Sequence, residues 1–121
     1  MSKIKTVVFN SVGEFVKQAQ KDGARLVVVD PRRTPLARIA DLHLPVRPGT
    51  DLPVALTVIR ELFERGWADE VFLRDQADGA EALRAAAAEW SLDRAASEAG
   101  VSAADLRTFA EWYGTTSPAV I

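Results

Sequence analysis

Three short stretches hold the side chains best suited to chemistry: Asn10-Ser11-Val12-Gly13-Glu14, Asp30-Pro31-Arg32-Arg33-Thr34 and Arg47-Pro48-Gly49-Thr50-Asp51. In the second, Asp30 closes an apolar run and stands twenty residues after Asn10. In open parallel sheets that bind nucleotides, an acid at this place accepts hydrogen bonds from ribose hydroxyls. Arg32 and Arg33 can neutralise a phosphate, and Thr34 can add a hydroxyl. The plainer reading is an Asx-type turn with solvated arginines. In the third stretch a glycine, a hydroxyl and a carboxylate precede a helical pattern. Thr50 or Asp51 can simply cap that helix. A free carboxylate there can also accept the paired N–H groups of a guanine edge, and Gly49 permits close backbone approach. The first stretch has a single glycine and is neither a G-x-G-x-x-G turn nor a P-loop. Asn10 and Ser11 read either as a helix cap or as ligand contacts at a helix N-terminus. His43 has no identifiable nucleophile or base partner and reads as a surface or packing residue.

The elements that must position these loops are legible from periodicity. Thr6-Val7-Val8-Phe9 and Leu26-Val27-Val28-Val29 are short β-branched runs, read as buried strands. Between them Val12, Phe15, Val16 and Ala19 recur at helical spacing, with a stop expected at Gly23. Leu42, Leu44 and Val46 alternate with His43 and Pro45, an edge-type strand. Leu52, Ala55, Leu56, Ile59, Leu62 and Phe63 form the clearest helical stripe, closed by Gly66. Beyond it the chain reads as helices over Asp69–Arg74, around Leu83, Ala86, Ala87 and Trp90, from Ser91 to Gly100, and after Ser102. Pro118-Ala119-Val120-Ile121 is expected to be a last strand. The fold class is therefore α/β: a small parallel sheet covered by helices, Rossmann-like in three layers, with a helical excursion before a C-terminal strand. Ligands of such sheets bind at the carboxyl ends of the strands, where the three loops lie. A single domain over 1–121 is expected, divided into 1–23, a cofactor-loop region 24–66 and a helical region with the terminal strand 67–121.

Composition sets the boundaries of function. The chain has 121 residues, 48% apolar and 26% charged, with no Cys and one His. That excludes disulfides, thiolate metal sites, cysteine nucleophiles and His-based metal clusters. No apolar run approaches the roughly 18 residues of a membrane span, and Met1–Lys5 has no apolar signal core. The expected compartment is the cytoplasm, with no membrane partner. The net charge of −2 does not favour nucleic acid. Residues 95–102, followed by Leu106 and Phe109, imitate a helix-turn-helix. Yet the would-be reading helix carries Asp105 and Glu111 against Arg107 alone. All four lysines precede residue 22 and all eleven arginines follow residue 24. This seam admits chance or a separate origin for residues 1–23, including an engineered or chimeric scaffold with no ligand.

Residues 23–34, Gly-Ala-Arg-Leu-Val-Val-Val-Asp-Pro-Arg-Arg-Thr, and residues 40–51, Ala-Asp-Leu-His-Leu-Pro-Val-Arg-Pro-Gly-Thr-Asp, together resemble the molybdopterin oxidoreductases of the dimethyl-sulfoxide-reductase and formate-dehydrogenase class. The resemblance continues through Ala55-Leu56 to Ser117-Pro118-Ala119. It implies a Rossmann-like region whose loops hold the guanosine end of molybdopterin guanine dinucleotide. Asp30, Arg32, Thr34, Gly49, Thr50 and Asp51 are the cofactor contacts it implies. The first loop departs from the family's Gly-x-Asn-Pro-x-Glu by lacking the proline. The metal ligand and cluster cysteines of the family have no counterpart here, so the chain is expected not to catalyse a redox reaction alone. Its expected partners are the remaining domains of a parent molybdenum or tungsten oxidoreductase. A homodimer through an exposed sheet edge is a further expectation.

Overall fold

Three consecutive valines favour an extended backbone, and in the computed structural model, which describes residues 12–121, they form a strand. The chain divides into two compact units, Met1–Pro45 and Val46–Ile121. The strand expected at Thr6–Phe9 and the cap at Asn10-Ser11 lie outside the described residues.

In the first unit, helix α1 (Val12–Lys21) carries Glu14 in its first turn and Lys21 in its last, matching the helix dipole. It stops as the glycine predicts: Gly23 takes a φ of 101°, and the Ala24 N–H returns to the Ala19 carbonyl at 2.9 Å. Strand β1 (Val27–Val29) runs parallel to β2 (Leu42–Leu44), with Val27 opposite Leu42, Val28 opposite His43 and Val29 opposite Leu44. The crossover, residues 30–41, contains only the one-turn helix α2 (Pro35–Ile39). Thr34 caps α2 by accepting the Ala37 N–H at 3.1 Å, and Pro35 sits where its missing N–H costs nothing. Asp41 clamps the entry to the sheet. Its Oδ2 accepts the Leu26 N–H at 2.6 Å and the Gln20 amide at 3.2 Å. β2 ends before Pro45, which has no N–H for a ladder.

The second unit is helical: α3 (Asp51–Glu64), α4 (Glu70–Gln76), α5 (Ala80–Ala88), α6 (Leu92–Ala99) and α7 (Ala103–Thr115). α3 packs against α5, α6 and α7. Its buried face is Val54, Thr57, Val58 and Glu61. This corrects the expected stripe. Leu52 is 65% exposed and Ala55 is exposed, while a threonine and a glutamate line the core side. α3 is apolar around most of its circumference, so two overlapping i, i+3, i+4, i+7 series compete, and hydropathy alone picks the more apolar one. The facing helices contribute small residues: Ala87, Ala95, Ala99 and Ala110 are all fully buried beside Leu106.

α6 and α7 begin at Ser91 and Ser102, whose hydroxyls accept the N–H groups of Arg94 and Asp105. α6 ends on Gly100 at a φ of 72°. The expected terminal strand is not formed. α7 runs to Thr115, and Val120 and Ile121 are 76% and 90% exposed with no strand pairing among the described residues. Pro118 supplies no ladder donor.

Candidate functional site

The loop after β1 is built from the ladder outward. The Asp30 N–H still donates to Leu44 O at 3.2 Å, so the aspartate leaves the sheet at its carboxyl end. Its carbonyl oxygen lies 2.9 Å from His43 Nε2. A carbonyl only accepts, so the imidazole donates through Nε2. Asp30 Oδ1 accepts the Arg32 N–H at 2.7 Å, which is the Asx turn. The Arg32 Nε stands 3.8 Å from the same oxygen, with its side chain 83% exposed. Exposure leaves this pair weak and the guanidinium available. The Oδ2 of Asp30 has no hydrogen bond among the described residues. Thr34 spends its lone pair on the α2 cap and retains its O–H donor. The Asx-turn reading of this loop is thus realised, and the turn leaves the second carboxylate oxygen of Asp30 without a hydrogen bond among the described residues.

The loop before α3 is tied down differently. Arg47 N–H donates to Ala99 O at 2.8 Å, and its guanidinium Nη1 donates to Ser97 O at 3.0 Å and Glu98 O at 3.2 Å. Thr50 folds back on Arg47: Oγ1 donates to its carbonyl at 2.6 Å and the Thr50 N–H at 3.2 Å. Thr50 occupies the N-cap position without capping through its side chain. Gly49 takes a φ of 83°, which L side chains rarely adopt, and the space beside its α carbon is open. Asp51 opens the first turn of α3, exposed, and its carboxylate has neither a hydrogen bond nor an ion pair among the described residues. The helix N-terminus stabilises that negative charge.

The six residues singled out in the sequence therefore fall into two clusters: Asp30, Arg32 and Thr34 on the first unit, and Gly49, Thr50 and Asp51 on the second. Sequence reasoning missed the two residues that hold them, His43 and Arg47. None of the six lines the cleft of about 210 Å³ between Arg60, Phe63, Glu64, Arg84 and Ala88. That cleft is closed chemically by its own pairs. Arg84 Nη2 meets Glu70 at 2.8 and 2.9 Å and its guanidinium lies 4.1 Å from the Phe63 ring centre. The hydrogen bond that Arg84 donates to the Glu70 carboxylate holds the guanidinium above its ordinary pKa. Among the described residues no cluster of His, Cys, Asp or Glu can hold a metal ion. No helix among them is long and apolar enough to cross a membrane.

An α/β chain with a parallel β–α–β pair and polar loops at the strand ends defines the class. No family model matches the sequence. It is similar to acetylene hydratase of Syntrophotalea acetylenica, 38% identical over 114 residues, which cover 93% of this chain and 16% of that protein. It is similar also to the F420-dependent formate dehydrogenase 2 subunit alpha of Methanococcus maripaludis, 28% identical over 110 residues, covering 91% and 16%. The solved structure of acetylene hydratase from Pelobacter acetylenicus superposes with a TM-score of 0.88 at 36% identity, covering 93% of this chain and 16% of that one. The homologues of this chain are molybdopterin oxidoreductases, and it corresponds to one segment of that family. It spans about 16% of the length of the curated relatives it matches. A match to 93% of the chain runs across the lysine–arginine seam, and an inert chimeric scaffold is not favoured.

Proposed function

We propose that this chain is the part of a molybdenum or tungsten oxidoreductase that holds the guanosine end of molybdopterin guanine dinucleotide. The observation that carries this reading is the Asp51 carboxylate, without a partner among the described residues at the start of α3, near a glycine whose flank is open. A carboxylate of this kind accepts the N1–H and the 2-amino group of guanine together. Asp30 adds an oxygen for a ribose hydroxyl, Arg32 a cation for the diphosphate, and Thr34 and Thr50 hydroxyls. The residue types of each cluster, taken by itself, therefore fit the group's chemistry. The relatives support a role in holding a cofactor: a hydratase and a formate dehydrogenase differ in reaction by their names, yet both contain this segment. A segment common to different reactions serves what they share. When bound, the group would supply the redox chemistry of the parent enzyme, and these residues would bind and orient its nucleotide.

The parent domain is a Rossmann-like layered sheet with β1 and β2 at its nucleus, and the remaining domains of the parent enzyme are the partners of this chain. Amide-resolved titration with GMP, with AMP as the control, tests the reading. Shifts concentrated at residues 30–34 and 49–51, and larger for GMP, are expected. No response at millimolar GMP, or equal responses to both nucleotides, contradicts it.

A further inference from the structure

We propose that Arg47 is the positioning residue of the 48–51 loop, fixing Gly49 and Asp51 by tying their loop to the carboxyl end of α6. This rests on the nucleotide reading for its functional consequence, though the tether itself is a matter of geometry. An α-helix ends with carbonyls that have no partner within the helix. At the end of α6, three successive ones, from Ser97, Glu98 and Ala99, are taken by a single residue fifty positions upstream. The guanidinium meets the first two, and the backbone N–H of Arg47 meets the third. A cation at a helix C-terminus is also favoured by the dipole.

The fit is tight and specific. Gly100 ends α6, and a β carbon there would lie 3.1 Å from Arg47 Nε and 3.4 Å from its Cγ and Cζ. Glycine at 100 thus serves both the left-handed turn and the passage of the arginine side chain. The carbonyl of Arg47 then receives both the hydroxyl and the N–H of Thr50, the residue just before Asp51. A continuous path of hydrogen bonds runs from the end of α6 through Arg47 and Thr50 to the start of α3. Lysine can reach only part of this arrangement, because its single ammonium lacks the planar fork.

The experiment compares Arg47→Met and Arg47→Lys with the parent chain, using amide hydrogen exchange and GMP affinity, after circular dichroism has established that each is folded. Arg47→Met should speed exchange at the amides of residues 47 and 50 at least about tenfold while Val58 and Leu106 change less than about twofold. It should weaken GMP binding by about tenfold. Arg47→Lys should lie between, and it keeps the test alive if Arg47→Met does not fold. Exchange and affinity both within twofold of the parent overturn the proposal. Faster loop exchange with unchanged GMP affinity overturns it too, by reducing Arg47 to a helix cap. If the parent chain binds no GMP, the nucleotide reading fails. Unchanged loop exchange would then end the tether separately, whereas accelerated exchange would uphold it.

Discussion

His43 and Asp30 are joined across the parallel strands: Nε2 of the histidine donates to the main-chain carbonyl of the aspartate at 2.9 Å, just where the chain leaves β1. The contact holds the first residue of the candidate loop against the strand beside it. Asp30 in turn organises Arg32 through its Oδ1. The one histidine of the chain is thus a loop anchor.

Replacing His43 by Val, which suits a strand, should remove that anchor without disturbing β2. A loss of about 1 kcal/mol in unfolding free energy is expected, typical of one hydrogen bond. Amide exchange should quicken at Arg32. Urea denaturation and exchange together check this, and an unchanged Arg32 amide would show the contact to be incidental.

Gly114 lets α7 lie against Leu62 of α3 and Trp67 just beyond it. A β carbon at 114 would stand 2.7 Å from Trp67 Cε3 and 2.9 Å from Leu62 Cδ2. The indole is rigid, so the helix must shift. Gly114→Ala should therefore destabilise by about 1–3 kcal/mol through overpacking, despite alanine's better helix propensity. Thermal unfolding measures the sign. A stabilised variant would mean that α7 and Trp67 separate easily.

Thr57 is fully buried on α3, and its hydroxyl has no partner among the described residues. An unsatisfied buried hydroxyl costs about 1–3 kcal/mol. Thr57→Val has a similar volume and no polar atom. It should raise the unfolding free energy by about 1 kcal/mol, read from the urea midpoint at constant slope. A lower midpoint would indicate that the hydroxyl makes a bond in solution.

The local features of the fold were legible because local chemistry dictates them. Ser91 and Ser102 cap helices through their own hydroxyls, Gly23 and Gly100 end them at positive φ, and the β-branched Val27–Val29 run forms a strand. The loops themselves were legible for the same reason, since Asp30 and Gly49 sit at turns. What holds the loops was not. His43 acts on a residue 13 positions away and Arg47 on residues 50 and 51 away, and periodicity carries no signal for such pairings. The orientation of α3 was hidden because its core face includes Thr57 and Glu61. The latter is accommodated by Arg60 at 3.6 Å and Arg65 at 3.5 Å, partners a hydropathy pattern does not weigh. The end of the chain differs from the expected strand because Val120 and Ile121 have strand-like types without a neighbouring strand among the described residues.

The central claim is that the Asp51 carboxylate reads a guanine edge, and comparing GMP with IMP tests it most directly. IMP lacks the 2-amino group and so offers one donor where GMP offers two. Losing one hydrogen bond to a charged acceptor is worth about 1.5–3 kcal/mol. Calorimetric titration of the parent chain should give GMP an affinity at least about tenfold higher than IMP. In Asp51→Asn, where a single carbonyl can accept only part of the pair, that preference should disappear. Equal affinities in the parent chain, or a GMP preference that survives Asp51→Asn, would contradict the account.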